Sequence, residues 1–461
     1  MILNISDINR PFFNMISILI VSVYSGLPVN NTCRNASLIH DCGDYLICNP
    51  KGKCDYCQND NQCMPRFYCK DSSRVGNKLC SYEPLTHKWD TRLIIGMICI
   101  FFAGVLVSGA GIGGGGMFVP VMMLIVDFPT SYAIPTSKAL IFGGSLAVTL
   151  FNLRKVHPYY ERPLINYNVA AIIEPISWLG TTLGVIINQV IPEWLLYSLQ
   201  FLLLSYTSWG TFKKGLKDQR DAQKNKSTND VLIKGTYEGK TYSVGLLWLL
   251  FFSWIVFLLV AFLRGGDGTG SIIGVKFCSN WFWVLTFGPF PLYLIITWFM
   301  VKVAKGYPVL GHKKDVSGTD ISKLLFSGFI AGIAAGFLGI GGGMIKGPMM
   351  LALEIEAEEM AATSSLMILM TSSATSIQYI AMGVMPITEF VVFSSVGFVS
   401  FLIGINFLRW LVKKMGNRSM FLYALALLIF ISAVLMSVVG VEIVIENIKY
   451  HVPMGFRPFC Q

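Results

Sequence analysis

From Leu93 to Val441 the chain is a succession of apolar runs separated by short polar interruptions. Most runs have the roughly 17 to 25 residues that let a helix cross the hydrocarbon of a bilayer. The pattern predicts helices over 92–110, 112–127, 133–153, 166–188 and 194–212. Two more follow over 244–264 and 281–301, and a last group over 322–339, 341–354, 359–381, 388–411 and 420–442. That is twelve membrane segments if all of them cross. The segments over 112–127 and 341–354 are short, and each follows a run of glycines.

The glycine runs repeat. Gly111-Ile112-Gly113-Gly114-Gly115 is followed by Pro120, and Gly339-Ile340-Gly341-Gly342-Gly343 by Pro348. Upstream, Phe101, Ala103 and Gly104 match Phe329, Ala331 and Gly332 at the same offset. Consecutive glycines weaken a helix. Irregular backbone at membrane depth persists only where it is buried in protein or lines a watery cavity. Two such breaks in corresponding halves of a chain point to a transporter binding site.

Composition and charge sharpen this picture. The 461 residues are 54% hydrophobic and 13% charged, against about 25% charged in soluble domains. The net charge of +10 gathers in loops, not on a basic helix or an aromatic platform, which argues against nucleic acid. With the N-terminus outside, every basic loop falls on the cytoplasmic side, as the positive-inside rule expects. These loops are Arg154-Lys155 with Arg162, Lys213 to Lys226, Lys302 to Lys314, and Lys413 to Arg418. The first repeat then begins from outside and the second from inside. The expected fold class is an all-α polytopic membrane protein with two inverted repeats, glycine-broken helices and a small disulfide-rich N-terminal domain.

That domain is legible from cysteine density. Cys33, Cys42, Cys48, Cys54, Cys57, Cys63, Cys69 and Cys80 read as a disulfide framework in an oxidising compartment, with connectivity left open. The Cys54–Cys57 CxxC raises zinc as an alternative, but no second CxxC and no histidine pair follows, so no metal site is expected. Phe12 to Tyr24 has the size of a signal-peptide core, with an uncleaved anchor as the other reading. Asn30 and Asn35 sit in glycosylation sequons. The expected organisation is signal peptide 1–25, cysteine-rich extracytoplasmic domain 26–88, first membrane repeat 91–212 and basic cytoplasmic linker 213–243. A connecting transmembrane pair and loop 244–321, a second repeat 322–445 and a C-terminal tail 446–461 complete it. Cys278 and Cys460 fall on one side of that topology and are candidates for a further bridge, with Cys99 left as a buried thiol.

Candidate chemistry clusters at the breaks. A Thr-Ser pair follows each run: Thr136-Ser137 and Thr363-Ser364. Lys138 adjoins the first pair, and Lys346 lies three residues after Gly343. A lysine at membrane depth is costly and functional by default; snorkelling to the interface is the bland reading of both. Glycine runs expose backbone N–H groups, and a short helix turns its positive end toward the break. Hydroxyls add donors without bulk. The alternative for the glycines is close helix packing. Glu174, beside Pro175, is a candidate for a coupling proton or for pairing with a cation. Asn152 and Gln378 are further candidates to face a pathway, while Glu354, Glu356, Glu358 and Glu359 read as a solvated acidic loop.

The doubled glycine motif with its following proline and Thr-Ser pair resembles that of the sulfite exporter TauE/SafE family. The resemblance covers 91 to about 445 and not the cysteine-rich domain. It implies a multi-pass carrier exporting sulfite, sulfonates or related small organic anions, with the glycine runs and Thr-Ser pairs lining the pathway. The substrate-binding set expected from resemblance and chemistry together is Gly113, Gly114, Gly115, Thr136, Ser137, Lys138, Gly341, Gly342, Gly343, Lys346, Thr363 and Ser364. No P-loop, nucleophile elbow or HExxH occurs, so no enzyme and no cofactor are expected, and ion or substrate gradients are the expected driving force. The expected partners are a small anionic substrate, the lipid bilayer and a coupling proton or cation, with no nucleic acid. The oligomeric state is not determined by the sequence. The expected location is the plasma membrane or an endomembrane, with the N-terminal domain extracellular or lumenal. Two other functions are compatible with the sequence: a membrane-anchored receptor or adhesion protein acting through the ectodomain, and an anion channel.

Overall fold

A computed structural model describes residues 47–49, 51, 53–63, 67–71, 77–82, 91–108, 113–126, 128, 130–157, 162–225, 244–265, 271–304, 318–353, 355–382, 384–415, 418–449, 455–456 and 460. The signal segment, Asn30, Asn35, Cys33, Cys42, Gly111 and most of the linker lie outside them. The chain forms two units. The larger comprises Asp90–Asn188 and Leu196–Gly440; the smaller takes in the described residues of Met1–Trp89, Gln189–Leu195 and Val441–Gln461.

In the cysteine-rich part of the smaller unit, β1 (Ile47–Cys48) pairs antiparallel with β2 (Cys54–Asp55), and β3 (Phe67–Asp71) with β4 (Lys78–Tyr82). Asn49 Oδ1 closes the first turn by accepting from the backbone N–H groups of Lys51 and Lys53, at 3.1 and 3.0 Å. Among the described residues the buried cluster of this region is Ile47, Cys57 and Cys80, a small core of the kind that cross-links reinforce. Disulfides Cys57–Cys69 and Cys63–Cys80 supply them, and Cys48 and Cys54 are also disulfide-bonded. The sulfurs of Cys57, Cys63 and Cys80 lie close enough together to suggest a metal, but these bridges consume them. Cys278 and Cys460 are each in a disulfide, while Cys99 is a half-buried free thiol.

The larger unit is helical. The first repeat contains α1 (Thr91–Val107), α2 (Gly115–Leu124), α3 (Thr130–Asn152), α4 (Tyr167–Val190) and α5 (Glu193–Asn225). The connecting part contains α6 (Val244–Arg264), α7 (Asn280–Phe287) and α8 (Pro289–Ala304). The second repeat contains α9 (Gly318–Leu338), α10 (Gly343–Ala352), α11 (Ala357–Ala381), α12 (Ile387–Met415) and α13 (Arg418–Lys449). Each predicted segment has its helix, with α7 and α8 meeting at Gly288 inside 281–301. Seven helical stretches among the described residues are long and apolar enough to cross a bilayer. Exposed Trp248, Phe252, Trp281 and Trp298 give the connecting part an outer face suited to lipid.

The short helices correct one expectation. Each has ten residues, about 15 Å at 1.5 Å per residue, half the hydrocarbon thickness. The α2 helix does not cross; it returns alongside α1. A methyl group placed on Gly114, at the break, would lie 3.3 Å from Val107, and one on Gly96, near the start of α1, would lie 2.2 Å from Val126, just past α2. The second glycine run sits against its long helix in the same way, with Gly342 beside Ala331 and Ala335. The sidedness argued from the basic loops requires each pair of long and short helix to begin and end on one side of the bilayer.

Glycines outside the runs interlock the repeats. On α4 and α9, methyl groups at Gly180, Gly184 and Gly332 would meet carbonyl oxygens of Phe329, Ile333 and Ser177 at 2.3, 2.3 and 2.1 Å. On α1 and α12, Gly104 abuts Ser400, and Gly404 abuts the Val105 carbonyl. On α3 and α12, Gly143 lies against the Ser394 carbonyl and Gly397 against that of Leu140. Each is a small-residue crossing of the kind that replaces hydrophobic driving force inside lipid. The α1–α12 and α4–α9 seams correspond under exchange of the repeats, as two-fold repetition requires.

Candidate functional site

The two glycine breaks meet. A methyl group at Gly113 would lie 3.1 Å from the Gly341 Cα, and one at Gly115 would lie 2.3 Å from the Gly339 carbonyl oxygen and 2.8 Å from the Ile340 Cα. Gly113, Gly114 and Gly339 have φ of 84°, 75° and 72°, the left-handed region where glycine carries no Cβ penalty. Both requirements, positive φ and contact of backbone with backbone, exclude side chains here. Gly342, by contrast, has φ of −52°, and a methyl group added there would meet only ordinary contacts, at 3.5 Å.

Helices of opposite repeats flank the crossover. Gly113 packs on Ile368 of α11, and Gly339 on Ile134 of α3. From α3, the Ser137 hydroxyl reaches the carbonyls of Ile134 and Gly339, at 2.7 and 3.1 Å. The Lys138 ammonium donates to the Ile340 carbonyl at 2.9 Å. Thr136 donates within its own helix to Tyr132 at 2.7 Å. All three are buried, Lys138 with 1% exposure. No carboxylate pairs with Lys138 among the described residues, where the Ile340 carbonyl is the hydrogen-bond partner of its amine.

Lys346 is different. It opens from α10 onto Glu174 of α4 and donates to one carboxylate oxygen. Thr371 of α11 closes the triangle, accepting from Lys346 at 3.1 Å and donating to the other Glu174 oxygen at 3.0 Å. Lys346 and Glu174 are both fully buried. Snorkelling therefore explains neither lysine, and the two candidates the sequence separated, Lys346 and Glu174, form one neutral pair. Sequence reasoning did not single out Thr371, because it opens a hydroxyl-rich run, Thr371-Ser372-Ser373-Ala374-Thr375-Ser376, in which no one residue stands out.

The second Thr-Ser pair lies near the start of α4. Thr363 accepts the Asn166 backbone N–H at 2.8 Å, where Asn166 caps the start of α4 through Val169 at 3.2 Å. Asn166 also donates to Glu359 at 2.7 Å, and Arg162 pairs with the same carboxylate at 2.9 Å. His157 stands 3.5 Å from Glu359 and 3.6 Å from Glu356. The acidic cluster is thus not a purely solvated face: Glu359 is 1% exposed and bolts the α3–α4 loop to α11. Ser364 is buried on α11. Asn152 and Gln378, the other pathway candidates, are buried as well.

Residues 96–436 match the sulfite exporter TauE/SafE family. The chain belongs to that family. TauE/SafE proteins of Arabidopsis thaliana are similar along most of their length. Family protein 3 is 29% identical over 81% of this chain and 84% of its own, and family protein 2 is 28% identical over 83% and 92%. A probable membrane transporter protein of Bacillus subtilis, YunE, is 33% identical over 23% of this chain and 36% of its own. No solved structure matches this chain. Among the described residues of this TauE/SafE membrane transporter, the crossing of the two broken elements holds a buried lysine, Lys138, with no carboxylate partner, and Lys346 and Glu174 form a buried pair.

Proposed function

We propose that this TauE/SafE protein is a secondary carrier of small anions, sulfite or organosulfur anions, with its cysteine-rich domain extracellular or lumenal. The observation that supports this best is Lys138. A buried ammonium without a carboxylate partner is stabilised by a bound anion, and Lys138 stands where two irregular backbones meet. The three ammonium protons exceed the single carbonyl it reaches, which leaves donors for an oxyanion. Gly113 and Gly115 let the two irregular backbones approach one another there, and Thr136 and Ser137 belong to the segment that carries Lys138.

In this reading the Lys346–Glu174–Thr371 group couples transport to a proton. Protonating Glu174 removes the counter-charge of Lys346, so proton binding and anion binding favour each other through one buried ammonium. The asymmetry of the repeats fits: the counterpart of Lys138 is Ser365, which donates to Ala362 at 2.7 Å, so one half supplies charge and the other the titratable pair.

The test is flux in proteoliposomes. Wild-type protein is expected to carry sulfite down its gradient, with acceleration by a proton gradient. Lys138→Met should lower the rate at least about tenfold while the protein remains folded, corresponding to loss of one charged hydrogen bond. Wild-type flux in Lys138→Met removes the residue from the site; no flux of any sulfur oxyanion in the wild type overturns the substrate assignment.

A further inference from the structure

A second buried cation lies away from the crossover. Arg264 ends α6 with 5% exposure, and its side chain lines a cleft between α4, α6, the α7–α8 region and α11. No acidic group or hydrogen-bond acceptor partners its guanidinium among the described residues, and its Nε is buried without a partner. Its aromatic neighbour is the Phe282 ring, 5.4 Å from Cζ. Gln378 of α11 lines the same cleft, and both its amide nitrogen and its amide oxygen are buried without partners. Two unsatisfied buried polar side chains facing one cleft are unusual, because each unmet group costs about 1–3 kcal/mol, more when charged.

The rest of the lining is mostly apolar. Leu179, Phe257 and Phe290 form walls, and the hydroxyls of Thr182 and Thr286 already donate to carbonyls of their own helices, at 3.1 and 2.7 Å. A low-polarity wall strengthens whatever charge pairing occurs inside. We propose that this cleft binds a small oxyanion: Arg264 supplies the charge and a forked set of donors, and Gln378 supplies one further donor and one acceptor. That last feature selects the class of ligand. An anion carrying one protonated oxygen, such as hydrogensulfite, satisfies the Gln378 oxygen as well as its amide N–H, whereas a fully deprotonated ion leaves that oxygen unmet.

The position gives the cleft a role. Thr182 follows Glu174 by eight residues on α4, and Gln378 follows Thr371 by seven on α11, about 10 to 12 Å along each helix. The cleft therefore stands two turns beyond the buried ion pair, toward the 265–280 loop. As a waiting point for the carried anion it rests on the carrier reading; as a binding site it does not.

Binding of sulfite to purified full-length protein in nanodiscs, followed by calorimetry near neutral pH, tests the site. Arg264→Gln is expected to weaken binding at least about tenfold, Arg264→Lys to recover part of it, and Gln378→Leu to weaken it less than Arg264→Gln does. Unchanged affinity in both Arg264→Gln and Gln378→Leu overturns the proposal. So does a higher melting temperature of Gln378→Leu with sulfite affinity unchanged, which would mark the cleft as an unfilled packing fault. The carrier reading fails separately. If the wild type moves no sulfur oxyanion but Arg264-dependent binding persists, the site stands and the carrier falls; if Arg264→Gln binds and carries sulfite as the wild type does, the site falls and the carrier stands.

Discussion

Lys346 and Glu174 answer each other across two repeats, and neither is tolerable alone. Removing one member of a buried ion pair strands the other charge and costs about 3–5 kcal/mol, whereas replacing both with apolar groups of similar size is often neutral or stabilising. Glu174→Leu and Lys346→Met are each expected to lower the thermal stability of the detergent-solubilised protein sharply. The double variant should recover most of that loss and still fail to couple flux to a proton gradient. A double variant as unstable as the singles would mean that packing, not charge, ties the two together. The glycines sort by what surrounds them. Gly115→Ala should abolish flux or folding, because its methyl group would lie 2.3 Å from a backbone oxygen that cannot withdraw. Gly342→Ala should be mild, and Gly210→Ala, with nothing within 4 Å, should be silent. Equal tolerance at all three would show the crossover to be looser than its contacts require.

At the scale of elements, the half-length helices α2 and α10 matter because they stop. Each delivers an irregular break to the interior and returns, so backbone groups face protein at a depth where lipid would leave them unsatisfied. The long helices hold these hairpins through glycine seams. Because the α4–α9 and α1–α12 seams are equivalent by repeat exchange, the same substitution in either should act alike. Gly184→Leu and Gly404→Leu are both expected to prevent accumulation of folded protein, since the nearest backbone oxygens lie at 2.3 and 2.4 Å. Wild-type levels of either variant, measured by size-exclusion chromatography in detergent, would contradict the seam. The count of twelve held only if every segment crosses, and an apolar run registers hydrophobicity, not reach: ten residues of helix span only about half of a bilayer.

At the scale of the molecule, the basic loops set an orientation. If the N-terminal domain is outside, Asn30 and Asn35 are expected to carry glycans, while Asn225 and Asn417, which also meet the sequon rule, fall among basic residues expected to be cytoplasmic and should not. Glycopeptide mapping decides this: sugar on Asn225 would invert the whole arrangement. The disulfides belong to the same picture. Cys57–Cys69 and Cys63–Cys80 suit an oxidising compartment, the side expected for this domain from the charge pattern.

The apolar periodicity, the doubled glycine motif, the charge of the loops and the density of cysteines determined the class, the repeats and the family by themselves. Each is a signal carried by residues near one another along the chain, or by a motif repeated in register. Lys138 was legible because a lysine is conspicuous in an apolar run. What a lysine faces is not local. That Lys346 meets Glu174, 172 residues away, that Glu359 is buried under Arg162, and that Arg264 and Gln378 share one cleft depended on helices from both repeats crossing at particular seams. The same holds for the glycines: their sequence announced a break, but only the packing of one break on the other decided that Gly115 must lack a side chain and Gly342 need not. Pairing of buried charges and contact between backbones are tertiary properties, set by distances that no single segment contains.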